Sequence, residues 1–470
     1  MKKLLFLFFA VTLIASNTFA QYTKLFDFNG AATGRQPNGS LISDGTFLYG
    51  MTAAGGTGTS CGFCGTIFKI MPDGTGYFKM LDFAGATNGN SPAGSFISDS
   101  IFLYGTTSQG GANNLGTIFK IKPDGTGYAK LHDCDSVNGS SPFGSLFSDG
   151  TFLYGMTQQG GAHNDGAIFK IKPDGTSYIK LLDFSGVANG QYPTGSLISD
   201  GTYFYGTTNK GGTGTCPNGG CGTIFKIKHD GTGYVKLLDF AGTTNGSNPN
   251  GDLISVGTFL YGTTVNGGAN NFGTIFKIKT DGTGYVKLLD FASFANGQYP
   301  TGSLISDGTF LYGISDQGGA NNFGTIFKIK PDGTGFAKLV DFAGATTGSH
   351  PYGSLISDGN FLYGMAGDGG NSNDGVIFKL AFTTGIAVNN MTIGIDIYPN
   401  PFNSQTTINF NEEQKNITVK IMDVIGKEIK SINFTGKQLI IEKGEMPAGT
   451  YFLYIKTEQG RVVQKLIINQ

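Results

Sequence analysis

Six aspartates, Asp135, Asp165, Asp252, Asp316, Asp368 and Asp374, stand out in this 470-residue chain because no recurrent pattern accounts for them. Before residue 390 there are 25 Asp and no Glu. Seven of these Asp sit in K-L-L-D-F segments and six at each of two turn positions. An active site on a single ring is rarely sevenfold, so recurrence marks those acids as structural and leaves the other six as candidates. Glycoside hydrolysis needs two carboxylates about 5–10 Å apart. Asp165 and Asp374 occupy matching N-D-G positions in different repeats, which sets them apart. The acids therefore lean away from an enzyme, and no catalytic residue is assigned. Polysaccharide breakdown stays a third reading, with Asp165, Asp316 and Asp368 as its acids.

The four histidines, His132, His163, His229 and His350, fall in four different repeats and segments. Metal ligands cluster at short spacings, so neither a metal nor a cofactor is expected. Cys61 and Cys64, and Cys216 and Cys221, lie in corresponding loops of repeats one and four, each enlarged over its counterparts. In an exported chain they read as two local disulfides. A redox Cys-x-x-Cys is the alternative, but Cys61–Cys64 sits in a β-loop rather than at a helix start. Cys134 replaces the Phe of K-L-L-D-F and reads as a buried thiol.

The elements that would position these residues are repetitive. A unit of about 51 residues carries four segments: G-S-L-I-S-D-G, T-F-L-Y-G, G-T-I-F-K-I and K-L-L-D-F. Each is short, aromatic and β-branched, and bounded by Gly, Asp, Asn or Pro, as strands are. Asp-Gly pairs between them favour tight hairpins. Each segment occurs seven times, but the first K-L-F-D-F (Lys24–Phe28) precedes everything else, and none follows Gly375–Leu380. This offset predicts that the N-terminal strand completes the last sheet. The expectation is an all-β chain: a seven-bladed β-propeller of four-stranded blades over 21–380. An open solenoid has no use for the donated strand.

Residues 1–20 pair two lysines with the apolar run Leu4–Ala15 and end in small residues, a secretory signal peptide. The run is too short to span a bilayer, and no transmembrane segment is expected elsewhere. Glu first appears at Glu412, so 381–392 reads as a linker and 393–470 as a second domain, expected to be an antiparallel β-sandwich. Its Tyr398-Pro399-Asn400-Pro401-Phe402, Val419–Glu428 and Met446–Leu453 (with Gly449 and Tyr451) resemble the C-terminal sorting domain of the type IX secretion system. The resemblance implies recognition by that machinery, removal by a sortase-like enzyme, and export from a Bacteroidetes-type bacterium to the cell surface or medium. The end, Lys465–Gln470, lacks the terminal Lys common in such tails, which leaves attachment versus release open. The repeats themselves are similar to the Gloeobacter/Verrucomicrobia tandem repeat, which implies no defined activity.

Net charge is −1, and Arg35 and Arg461 are the only arginines. Nucleic acid is excluded, because phosphate recognition needs a basic face. In a four-strand meander the second-to-third and fourth-to-first loops emerge on one side, and here these are the long ones, the usual place for binding. Residues that break the repeat there are Arg35, Gln191, Tyr192, Gln298, Tyr299, His350 and Tyr352. The first reading is a monomeric surface or secreted module that binds a glycan or protein through them. Absence of Trp removes the commonest sugar-stacking side chain. The second is a structural or adhesive surface protein whose repeats are scaffold.

Overall fold

The computed structural model describes residues 21–57, 64–216, 219–382, 395–422, 428–447, 449–457 and 460–468. The signal peptide, Cys61 and nearly all of the linker lie outside them. The chain divides into two compact units, Met1–Phe382 and Thr383–Gln470.

Among the described residues, the first unit holds seven antiparallel sheets, each led by a meander of strands. In one of them Ile198–Ser199, Tyr203–Thr208, Thr223–Lys228 and Val235–Asp239 pair in sequence order. The last sheet takes its fourth strand from the other end of the unit. Tyr22–Asp27 runs antiparallel to Val376–Ala381, with Tyr22 opposite Leu380 and Asp27 opposite Val376.

Two recurrent residues join neighbouring sheets. The Phe that ends K-L-L-D-F is fully buried and sets its ring edge-on to the Phe of the next G-T-I-F-K-I. Phe240 meets Phe276 at 5.3 Å, and Phe28 meets Phe68 at 5.2 Å across the closure. Burying a Phe stabilises by about 1.5–3 kcal/mol, and an edge-on pair adds about 0.5–1.5. Cys134 is a buried free thiol at this position, so its sheet lacks the aromatic wedge. The invariant Gly of T-F-L-Y-G makes room for the same ring: a Cβ on Gly206 would lie 2.7 Å from Phe225 Cζ.

Recurrent acids are used up locally. Asp44 accepts the backbone N–H groups of Thr46 and Phe47 at 2.8 and 2.7 Å and the Tyr49 hydroxyl at 2.7 Å. Burial pushes its pKa up, but those hydrogen bonds outweigh it and hold the carboxyl below its ordinary value. In the fifth repeat Val256 replaces this Asp, and the Tyr261 hydroxyl turns to Pro331 O at 3.4 Å. The K-L-L-D-F acids clamp the loop of their own sheet. Asp133 accepts Ala112 N–H at 2.8 Å while pairing with Lys130 at 2.8 Å.

In the second unit, Gln405–Met422 pairs with Glu428–Glu442 along one edge. Along the other it pairs with Ile395–Tyr398 and then Gly449–Thr457, which in turn pairs with Gly460–Ile468. Inward residues of all five strands, among them Ile408, Val419, Ile441, Leu453 and Leu466, share one core. The sequence suggests two strands across 427–442, whereas Glu428–Glu442 is continuous. It also suggests a sandwich, but the described strands are hydrogen-bonded as one sheet curled around that core. The reason lies in Gln405–Met422: its register shifts between Asn409 and Ile417 let one long strand serve both halves. Asn400 Oδ1 accepts Ile467 N–H at 2.8 Å, and the Tyr451 hydroxyl donates to Pro447 O at 2.9 Å. Tyr398 is exposed.

Candidate functional site

Between one sheet and the next, the chain crosses through a six-residue segment of constant design. It reads Arg35-Gln36-Pro37-Asn38-Gly39-Ser40 in the first repeat and Ser349-His350-Pro351-Tyr352-Gly353-Ser354 in the last. The residue before Pro is left-handed in all seven: Gln36, Ser91, Ser141, Tyr192, Asn248, Tyr299 and His350, with φ of 51 to 57°. The cause is a cross-sheet hydrogen bond. His350 N–H donates to Phe323 O at 3.0 Å and Tyr192 N–H to Asp165 O at 2.8 Å, each reaching back to the preceding sheet. Such a conformation costs a non-glycine residue on the order of 1 kcal/mol, and Gly would avoid it. In a chain with 77 Gly, none of the seven positions is Gly. The strain recurs in every repeat and is offset by the cross-sheet hydrogen bond, whereas the side chain at the position varies.

The sequence-derived candidates all lie in these segments, but not in one pocket. Arg35, Gln191 and Gln298 form isolated bridges with Ala54, Lys210 and Gln317. Gln191 Nε2 donates to Gly219 O at 3.4 Å, in the loop pinned by the Cys216–Cys221 disulfide. Cys64 is also disulfide-bonded. Tyr192 lies under Lys210 Nζ, 5.5 Å from its ring centre. Tyr299 meets Phe272 edge-on at 6.0 Å. Gln298 Nε2 reaches Gln317 Oε1 and Asn322 Oδ1 at 3.2 and 3.0 Å.

His350 and Tyr352 are different, because the structure brings two of the six unassigned acids to them. His350 Nδ1 lies 3.1 Å from Asp316 Oδ1, and Asp316 is 6% exposed. That hydrogen bond raises the His350 pKa despite partial burial. Burial raises the Asp368 pKa, and the charges of Asp316 and Asp374 add to the effect while His350 opposes it. Tyr352 is raised by burial, then by Asp316 and Asp368. Its ring is 46% exposed. A Cβ on Gly367 would lie 3.1 Å from His350 O, 3.8 Å from the Tyr352 ring and 4.0 Å from Asn38 Oδ1, so all three residues close around this glycine. The equivalent contact two sheets earlier is neutral, with Asn248 Nδ2 donating to Asn209 O at 3.0 Å. Thus the crossing edge carries an imidazole, two carboxylates and a half-exposed phenol in one neighbourhood. Its hydrogen-bonding groups suit polar ligands, and Asp316 favours the protonated form of His350.

Sequence reasoning isolated Asp316, Asp368 and His350 separately but not the contact between Asp316 and His350. The available signal was a double departure: Asp316 stands where other repeats have Ser108, Gln158 or Val265, and His350 where they have Ser141 or Asn248. Asp165 stays apart, beside His163, and burial raises its pKa. Among the described residues, no group of three or more His, Cys, Asp or Glu could hold a metal.

The description "Gloeobacter/Verrucomicrobia repeat" matches residues 10–218 and again 213–396, and "Secretion system C-terminal sorting domain" matches 396–469. No curated protein matches. Among solved structures, PorZ, an essential surface component of the type IX secretion system of Porphyromonas gingivalis, is 14% identical with a TM-score of 0.49. That likeness covers 95% of this chain and 61% of PorZ, so the chain spans about three fifths of that protein. A puromycin-hydrolysing peptidase of Mycobacterium tuberculosis is 12% identical over 83% of this chain and 61% of its own, at a TM-score of 0.50. A periplasmic gluconolactonase of Pseudomonas aeruginosa is 13% identical over 92% and 99%, at 0.44. Such identities speak to fold alone.

Proposed function

The chain belongs to the Gloeobacter/Verrucomicrobia repeat family, and from that premise we propose that it is a surface-displayed binding module. Its type IX sorting domain directs export across the outer membrane to the cell surface. The binding element in this reading is a monomeric, closed seven-bladed β-propeller. Seven sheets and the strand pairing of Tyr22–Asp27 with Val376–Ala381 support it. The ligand is a glycan or a surface protein, taken on the face that the crossing segments share with the long loops. Arg35, Gln191, Tyr192, Gln298 and Tyr299 extend that face, with its centre at His350 and Tyr352.

The observation that carries the proposal is the neighbourhood of Asp316, His350, Tyr352 and Asp368. A partly exposed aromatic ring beside hydrogen-bonding acids and an amide suits the hydroxyl groups and apolar face of a sugar. The test is a glycan array and a cell-surface capture assay with the secreted protein, beside Tyr352→Ala and Asp368→Asn. Binding lost in both variants supports the reading. No ligand, or binding indifferent to both changes, overturns it in favour of a scaffold or adhesive role.

A hydrolytic role remains the third reading, because Asp316 and Asp368 are two of its three candidate acids and the charge of Asp316 helps raise the Asp368 pKa. Polysaccharide turnover that disappears in both Asp316→Asn and Asp368→Asn would favour it.

A further inference from the structure

The last residue of each crossing segment builds something apart from the loop face. Ser40 N–H donates to Ser95 Oγ, Ser95 N–H to Ser145 Oγ, and Ser145 N–H to Ser196 Oγ, each at 2.8 Å. The series continues from Ser196 N–H to Asp252 Oδ1 at 2.6 Å and from Asp252 N–H to Ser303 Oγ at 2.7 Å. Ser303 N–H then donates to Ser354 Oγ, and Ser354 N–H to Ser40 Oγ, both at 2.8 Å. The circuit is closed: one residue from each repeat, each bonded to the next, around the axis of the array. The preceding glycines keep it tight, since a Cβ on Gly353 would lie 2.2 Å from Gly39 O and one on Gly144 2.3 Å from Gly195 O.

Each of the seven residues accepts one backbone N–H through a side-chain oxygen, and the Ser196 and Ser303 hydroxyls also hydrogen-bond the Asp252 carboxyl. These oxygens lie at one level around the axis, and each hydroxyl oxygen keeps a second lone pair. Asp252 is the anomaly. A serine there would complete the circuit, and the other six repeats have one. Asp252 instead places a carboxyl where protein crowds it, and burial raises its pKa. The groups that bear on it are Ser196 and Ser303, not a lysine, arginine or histidine. Hydrogen bonds from Ser196 N–H and the two hydroxyls offset part of the cost of crowding this carboxylate, and a bound cation would offset more of it.

We propose that Asp252, flanked by the hydroxyls of Ser196 and Ser303, is an axial site for a hard cation, with Asp252 supplying its only anionic ligand. Hard cations prefer oxygen ligands, and hydroxyl, carboxylate and water oxygens together fill such a shell. With a single negative charge against neutral oxygens, a sodium-like ion is balanced, and calcium would need water or solvent anions to complete its charge. Cation binding here would stabilise the repeat unit by linkage, because the circuit exists only in the folded chain.

The test is thermal unfolding of the secreted protein in sodium chloride against choline chloride at equal concentration, with a parallel calcium against magnesium series. The variant is Asp252→Ser, which restores the residue of the other repeats and keeps an acceptor for Ser196 N–H. The expected result is a saturable rise of the unfolding midpoint, on the order of a few degrees, in sodium or calcium for the natural chain, absent in Asp252→Ser. The arm that responds identifies the ion. An equal response in both proteins, or none in either, overturns the proposal. Infrared or carbon NMR detection of a protonated Asp252 at neutral pH in both salts would overturn it as well, showing that a proton does the neutralising.

Discussion

The two ends of each sheet use similar small and acidic residues to opposite effect. At the turn end, Asp44 and its equivalents Asp99, Asp149, Asp200, Asp307 and Asp358 each accept backbone N–H groups and a tyrosine hydroxyl from their own hairpin. These acids are engaged within their own hairpins. At the crossing end the backbone is just as regular, with the same left-handed residue and the same cross-sheet hydrogen bond, yet the side chains differ from repeat to repeat. Geometry recurs where it holds the fold, whereas chemistry departs from the repeat where it is free to act. Asp316, His350 and Asp252 are all such departures.

The largest expected effect strikes the recurrent side. Phe276→Ala removes a ring that packs on Phe240 and fills the space over Gly262. It should cost about 3–5 kcal/mol, read from the denaturant midpoint of the repeat unit, with ligand binding unchanged under conditions where the protein stays folded. A loss below about 1 kcal/mol would mean that the aromatic wedges do not hold the sheets together. A smaller effect of opposite sign is expected from Val256→Asp, which restores the missing turn acceptor for Tyr261. It should stabilise by roughly 0.5–1 kcal/mol, and destabilisation would break the claim that the turn acids are structural.

The smallest effect on stability belongs to the crossing side. His350 has its pKa raised in the folded chain by Asp316. Its contribution is therefore fully present below the ordinary histidine value of about 6.5 and is lost as pH rises through the raised folded value. Asp316→Asn should bring the His350 titration, followed by proton NMR, back toward that ordinary value with little change in unfolding temperature. An unshifted titration would separate the two residues and blunt the comparison.

Much of this architecture is legible in the sequence, because strands, turns and the N-terminal offset are written in local, repeated segments. Lys24–Phe28 was sufficient to anticipate the pairing seen for Tyr22–Asp27. What escaped is non-local. Asp316 and His350 are 34 residues apart on different sheets, and nothing in local hydrophobic pattern reports their contact. The left-handed residues escaped because Gln, Tyr and His do not advertise positive φ as Gly does. In the tail, alternation suggested strands over Lys427–Ile432 and Gln438–Glu442 but not the continuous Glu428–Glu442 that joins them, since period two is the same on either side of a turn.

Amide hydrogen exchange tests most directly whether the first strand closes the array. Residues Tyr22–Asp27 and Val376–Ala381 should be protected as strongly as an internal pair such as Tyr203–Thr208 and Thr223–Lys228, all opening together. Exchange of Tyr22–Asp27 at the rate of an unstructured segment, with the internal pair still protected, would contradict it.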